Sequence, residues 1–341
     1  MFIFMNDRLT LWSTLRPVEK GTGQGKLLLT GATGFVGTNL QEELRRRGMP
    51  FFATSKEACD LACREQAVAL FREHVDAEVI LHLADLNGAA EFPARHATEL
   101  LDVNSRIHLN VLDAWHRFLP HARLIAIGSS CAYPAREGGQ REEDLLDGPV
   151  HGSLYAYALT KRLLAEAIRT YGDVHGLKGT YLIPSTMFGE HDDFHVETAH
   201  VSGALIGKIV SATVEGRPSV EIWGDGTQVR DFMDVREFVS ALLHLLPRCE
   251  RDRINIGPGK GTTVRELAET IRRAAGFEGQ LVFQPSAYVG ASEKWLDVSK
   301  LERDYGYRIQ PDLAEGISRT VAWYRANHER LKNKRKFATS P

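Results

Sequence analysis

The chain has 341 residues, 43% of them hydrophobic and 25% charged, with a formal net charge of −2; that length suits one large core with a lobe, or two domains. The charge balance leaves no footprint for nucleic acid, and no apolar run nears the roughly 20 residues that span a bilayer, so a membrane partner is not expected either. The four cysteines (Cys59, Cys63, Cys131, Cys249) have neither metal nor disulfide spacing, which points to no metal and to a reducing cytoplasm.

Residues 1–25 read as a flexible extension without the cationic lead or apolar core of a signal peptide, and the fold is expected to start at Lys26. Leu27-Leu28-Leu29-Thr30 reads as a buried strand that Gly31-Ala32-Thr33-Gly34-Phe35-Val36-Gly37 turns into a helix running to about Arg47. A strand at 51–54, a helix at 64–74, a strand at 79–83, a helix at 98–118 and a strand at 124–128 follow. A helix at 154–171 and a strand at 179–184 continue the rhythm. This alternation predicts an α/β fold, a Rossmann-like doubly wound parallel sheet. Beyond Pro184 the pattern loosens into a smaller, partly discontinuous substrate-binding lobe with a helix at 201–211, a strand at 220–223 and a turn at 224–226. A helix at 235–247 and a strand at 254–256 are predicted to return to the main sheet, and Thr263 to cap a helix reaching Ala275. The expected division is a dinucleotide-binding domain at 26–184 with return segments near 235–258, a lobe at 185–330 and a frayed tail at 331–341.

The glycine turn lies where a dinucleotide needs it. Gly31 permits a tight turn, Gly34 lets backbone approach a pyrophosphate, Gly37 allows close helix–strand contact, and the helix N-terminus offers unpaired N–H groups. Thr33, Phe35 and Val36 belong to the same cradle. An NAD site usually places a carboxylate at the end of the second strand. Here that strand ends Thr54-Ser55-Lys56, and a hydroxyl at Ser55 with an ammonium at Lys56 suit a 2′-phosphate, so NADP(H) is favoured over NAD(H). Asp60 and Leu61 are candidates for the adenine edge, although Asp60 would equally cap a helix. Leu83, Ala84 and Pro184, at strand ends, complete the expected cofactor contacts.

Tyr157 and Lys161 stand four apart and share one helix face. A neighbouring ammonium is expected to lower the phenol toward working pH, as a general acid requires. Ser129-Ser130-Cys131-Ala132-Tyr133-Pro134 follows a buried strand, so its serines and thiol fall at the carboxyl end of a parallel strand, where ligands bind. A free cysteine is ordinarily a small buried hydrophobe, but this place makes Cys131, near Lys161, a candidate proton carrier.

With these motifs the chain resembles the extended short-chain dehydrogenase/reductases, and within them the GDP-L-fucose synthase family of GDP-4-keto-6-deoxy-mannose epimerase/reductases. The resemblance spans Lys26 to Asn327. It is carried by Gly128 to Pro134, Tyr157 to Lys161, Pro184 to His195, Trp223-Gly224-Asp225-Gly226-Thr227 with Arg230, Ile254 to Gly257, and Glu293 to Val298. It implies Ser129, Cys131, Tyr157, Lys161 and His200 as catalytic residues, and it alone selects His200 over His191 and His195. It also implies Ser130, Lys208, Trp223, Arg230 and Lys294 as contacts to a nucleotide-diphosphate sugar, and a homodimer packed through the helices near 98–118 and 154–171. Two segments depart from the family: the turn Gly31-Ala32-Thr33-Gly34, usually Gly-His-Arg-Gly, and the loop Ala84-Asp85-Leu86-Asn87-Gly88-Ala89-Ala90, usually Ala-Ala-Lys-Val-Gly-Gly.

The implied reaction begins with a 4-ketone that acidifies its neighbouring carbons. Ser129 and Tyr157 stabilise the enolate, Cys131 and His200 exchange protons on opposite ring faces, and the ketone is then reduced with NADPH. The rivals are a redox-neutral nucleotide-sugar epimerase such as a GDP-mannose 3,5-epimerase, an epimerase/reductase for a related nucleotide-linked keto sugar, and a non-catalytic nucleotide-sensing scaffold. The scaffold is disfavoured by the intact Ser-Tyr-Lys set.

Overall fold

A computed structural model of the protein describes residues 26–89, 91–285 and 292–332; the expected N-terminal extension and residues 333–341 of the expected tail lie outside the described residues. In chain order the first half runs β1 (Leu27–Thr30), α1 (Phe35–Arg46), β2 (Phe51–Ala53), α2 (Arg64–Glu73), β3 (Val79–His82), a single-turn α3 (Phe92–Arg95), α4 (Ala97–Phe118), β4 (Arg123–Ile127), β5 (Gly139–Gln140), α5 (Tyr155–His175) and β6 (Gly179–Pro184). The second half adds β7 (Thr186–Phe188), α6 (Val201–Val214), β8 (Ser219–Trp223), β9 (Val229–Arg230), β10 (Phe232–Asp234), α7 (Val235–Leu245) and β11 (Arg253–Ile256). It closes with β12 (Thr262–Thr263), α8 (Val264–Ala275), β13 (Gln280–Gln284), β14 (Glu293–Leu296), α9 (Ser299–Tyr305) and α10 (Leu313–Lys332).

Six strands pair in parallel in the order β11-β6-β4-β3-β1-β2. Every residue of β1, β3 and β6 is buried, because helices cover both sheet faces; such strands read as continuous apolar runs rather than alternations. α1 packs with α7, while α2, α4 and α5 pack in series. The chain goes from β1 outward to β2 and then crosses to β3 on the other side, so the topological switch lies between β1 and β3. Ligands of open α/β sheets bind at the carboxyl ends of the strands flanking that point.

The predicted boundaries hold where the stop signal is local. Thr263 accepts from the Glu266 N–H while the Glu266 side chain bonds back to Thr263, and Gly276 ends α8 at φ 59°, a reciprocal cap with a left-handed stop. α5 overruns its predicted end at 171. Gly172 is carried inside the helix, and the left-handed stop is Gly176, at φ 73°. Residues 331 and 332 end α10 rather than fraying. No element is expected beyond Ala275, yet β13, β14, α9 and α10 form there; α10 contributes Ile317, Val321 and Tyr324 to a second apolar core with Phe194, Ile206 and Leu267. No helix among the described residues is long and apolar enough to cross a membrane.

Below the switch point two histidines are sealed between β3 and α4. His82 and His108 are each 1% exposed; Thr30 Oγ1 lies 2.9 Å from His82 Nδ1, and His82 Nε2 lies 3.0 Å from His108 Nδ1. Burial, then the charge of Lys161, pushes His82 down to about 3, and burial holds His108 well below its ordinary value. Both stay neutral in the fold and take up protons on unfolding, so this stability is complete above about pH 6.5 and is lost as pH falls from there toward the depressed folded values. His108→Leu is expected to flatten the fall of Tm between neutral and mildly acidic pH. Parallel Tm–pH curves for variant and wild type would show that His108 is not one of the titrating groups.

Candidate active site

Gly31 sits at φ +71°, and a Cβ there would lie 2.6 Å from the Ala84 nitrogen and 2.7 Å from the Leu83 carbonyl carbon. A Cβ at Gly37 would lie 2.3 Å from the Gly31 oxygen. The turn is thereby pressed against the segment leaving β3, as only glycine allows. α1 begins after Gly34 with no capping side chain and no acid in its first turn, which leaves its N–H groups and positive end for an anion. Thr33, Phe35 and Val36 belong to this helix start, and Leu83 and Ala84 close the turn from the β3 side. These features fit a dinucleotide pyrophosphate.

Past β2, Ser55 Oγ accepts from the Ala58 N–H, and the Glu57 backbone N–H, then the Ser55 hydroxyl, hold the Glu57 carboxylate below its ordinary value. Lys56 and Glu57 are both exposed. Asp60 does not cap α2, whose N-cap is Cys63; it accepts from the Ala62 N–H at 3.0 Å. Leu61 is buried, and its carbonyl accepts from Asn110.

Ser129 caps a single 3₁₀ turn, Ser130–Ala132, its Oγ accepting from the Cys131 N–H at 3.1 Å. Gly128 precedes it because a Cβ there would lie 2.4 Å from the Tyr181 ring. The Tyr181 hydroxyl donates to the Lys161 carbonyl at 2.9 Å, joining β6 to α5. Lys161, 3% exposed, donates to the Ile127 carbonyl at 2.9 Å and pairs with Asp85 at 2.7 Å. The Tyr157 hydroxyl donates to the same Asp85 oxygen at 3.1 Å, and the Lys161 ammonium lies 5.6 Å from the Tyr157 ring centroid.

One expectation changes here. The phenol is not lowered by its lysine: burial, then the Asp85 carboxylate, push Tyr157 well above its ordinary value. A cation that feels Cys131 is Lys294. Lys294 donates to the Ser130 carbonyl at 2.5 Å, and burial holds its ammonium below the usual lysine range. Lys294 also faces Arg230 across the β14–β9 pair, so a second cation neighbours the one that holds the 130–132 turn.

His200 is exposed at the N-cap of α6. Its segment is set by α6, where a Cβ at Gly203 or Gly207 would lie 2.1 Å from the Asp193 oxygen or 2.3 Å from the Phe194 oxygen. The Ala89 N–H donates to the Thr198 carbonyl at 2.8 Å, tying the loop after β3 to this segment. His191 is turned away to α1, with its Nε2 2.9 Å from Glu42. Lys208 and Trp223 meet elsewhere, the ammonium 5.0 Å from the indole centroid. Lys208 and Thr33 both line a cleft of about 890 Å³. Pro184 ends β6, and Ser185 after it is buried.

Sequence reasoning missed three buried groups that build the site. Asn104, on α4, clamps Leu86 by donating to its carbonyl and accepting from its N–H. Asn255 accepts from the Tyr133 hydroxyl at 2.7 Å and donates to the Gln140 and Asp297 carbonyls, so its motif holds the 130–132 turn through Tyr133. Asp231 accepts from the Leu296 N–H beside Lys294 and Arg230, and burial pushes it up to about 7. Asn255 lies in the Ile254–Gly257 motif, to which sequence alone gives no structural role; no local pattern marks Asn104 or Asp231.

The profile of the NAD dependent epimerase/dehydratase family matches residues 27–257. A probable GDP-L-fucose synthase 1 of Oryza sativa subsp. japonica is 30% identical over 309 residues, 89% of this chain and 93% of that protein. A GDP-L-colitose synthase of Yersinia pseudotuberculosis is 30% identical over 306 residues, 88% of this chain and 97% of the other. Among solved structures, a GDP-L-fucose synthetase from Naegleria fowleri bound to NADP superposes with a TM-score of 0.82 at 25% identity, covering 91% of this chain and 97% of that one. The glycine turn, the tyrosine–lysine pair of α5 and this similarity along the chain lead to one assignment: the protein belongs to the NAD dependent epimerase/dehydratase family.

Proposed function

We propose that the protein is a bifunctional epimerase/reductase for a nucleotide-linked 4-keto-6-deoxy sugar. The reading is GDP-4-keto-6-deoxy-mannose inverted beside its ketone and reduced with NADPH to GDP-L-fucose. The observation that carries it is the joining of Ser129, Cys131, Tyr157 and Lys161 at the carboxyl ends of the sheet that bears the glycine turn. Ser129 and Tyr157 hold the carbonyl oxygen through enolate formation; Cys131 and His200 remove and return protons on the flanking carbons; Tyr157 protonates the oxygen on reduction. NADPH, when bound, supplies the hydride. Gly31 to Gly37, Leu83, Ala84 and Pro184 would hold it, and the exposed Lys56 next to the Ser55 hydroxyl suits its 2′-phosphate. Arg230 and Lys294 match a diphosphate in charge, and Trp223 with Lys208 offers a stacking and cationic contact for the base.

In this reading residues 26–184, with 235–258, serve the cofactor and the lobe serves the sugar nucleotide. The free thiols suit the cytoplasm. Leu101 and Leu109 of α4, with Tyr155 and Leu159 of α5, are exposed apolar groups on the two helices expected to pair in a homodimer; a monomer mass by light scattering would remove that element. The altered loop at 84–90 supports a second reading, a related GDP-linked keto sugar with the same chemistry.

The test is incubation with NADPH and GDP-4-keto-6-deoxy-mannose in deuterated water. NADPH loss with deuterium at the carbons flanking the former ketone is the expected outcome. Exchange without NADPH loss would favour a redox-neutral epimerase, and neither would overturn the reading.

A further inference from the structure

Asp85 is in the loop that departs from the family, and nothing above assigns it a role. Its Oδ2 accepts from the Tyr157 hydroxyl at 3.1 Å and meets the Lys161 ammonium at 2.7 Å, with the Asp85 side chain only 11% exposed. Its position is built rather than incidental. Asn104 grips the next residue from both sides, at 2.7 and 2.9 Å, the Ala84 nitrogen is pressed on Gly31, and Ala89 is tied to Thr198. The carboxylate is therefore fixed at one point between an acid and the cation usually credited with activating it.

We propose that Asp85 is a positioning residue of the reduction step: its carboxylate offsets the Lys161 charge and keeps the Tyr157 phenol protonated, so that the acid stays loaded into the alkaline range. The proposal rests on the reading of this site as a ketone reductase. An ammonium beside a phenol favours phenolate, whereas a carboxylate accepting the phenol's hydrogen bond favours the neutral form. Asp85 does both jobs at once, by neutralising the first influence and adding the second. The other groups facing the phenol are Cys131 from the turn after β4 and Tyr181 from β6, both of which also oppose its ionisation. Around Lys161 stand Asp85 and the neutral His82 and His108, while Lys294 lies beyond Cys131. Of these, Asp85 is the one that hydrogen-bonds the phenol oxygen.

The test is Asp85→Asn, which keeps the shape and removes the charge, read in two ways. The first is the pH profile of NADPH oxidation with the keto-sugar. A general acid loses activity as pH rises through its pKa, so the alkaline limb should move down by about one pH unit or more, with the neutral-pH plateau changed far less. The second is ultraviolet phenolate titration of the cofactor-free protein, with the Tyr157 component isolated by subtracting Tyr157→Phe in each background. It should show the same downward shift. A uniform loss of rate at every pH, with no movement of the limb or of the titration in a folded variant, would reduce Asp85 to a structural residue and overturn the proposal. If the keto-sugar is not turned over at all, the titration still decides Asp85, so a failed substrate assignment and a failed Asp85 role are told apart. Asp85→Ala, judged by the same titration, covers the case in which the asparagine variant does not fold.

Discussion

Cys131→Ser is expected to slow epimerisation by about 10²–10⁴-fold while reduction of an already inverted ketone stays within a few-fold of wild type. The turn should survive the change, because Ser129 Oγ accepts from the backbone N–H of residue 131 and not from its side chain. What changes is the proton carrier. A thiol is a far stronger acid than a serine hydroxyl, and its thiolate is the competent proton acceptor. Deuterium incorporation without NADPH measures the exchange half, and NADPH oxidation on the inverted ketone measures the other. Equal losses in both would sink the division of labour between Cys131 and Tyr157.

What the sequence revealed and what it hid divide along locality. The glycine turn was readable because Gly31, Gly34 and Gly37 answer constraints within seven residues and one neighbouring strand end. Tyr157 and Lys161 were readable because helix geometry fixes residues four apart on one face. The end of α5 was misplaced because Gly172 and Gly176 look alike in sequence, and only the backbone says which adopts the left-handed conformation. His200 was reached through resemblance alone, since its position depends on the 193–194 backbone lying across Gly203 and Gly207. Asp85 is the sharpest case. The loop was visible as a departure, but that Asp85 faces Lys161 follows from a clamp by Asn104 on α4 and a tie to Thr198, far along the chain. The same contact reversed the expected direction for Tyr157: spacing finds the lysine, but only the fold shows that a carboxylate has already met its charge.

Tyr157→Phe is expected to lower reduction by about 10²–10⁴-fold, the range for loss of a positioned general acid, equivalent to about 3–5 kcal/mol of transition-state stabilisation. Collapse of the site is not expected to cause the loss. Removing the hydroxyl takes one donor from Asp85, but Lys161 still meets that carboxylate at 2.7 Å, so no buried charge is left unpaired. Circular dichroism and Tm should therefore stay close to wild type. Deuterium exchange beside the ketone should fall less than reduction does, because Ser129 remains to hold the enolate oxygen. A variant that reduces the ketone at the wild-type rate would remove Tyr157 from its role. The two substitutions together form the stricter test: Cys131→Ser should spare reduction and stop exchange, and Tyr157→Phe should do the reverse in degree. General destabilisation lowers both activities in step and cannot produce opposite selectivities from residues that share one turn-and-helix cluster.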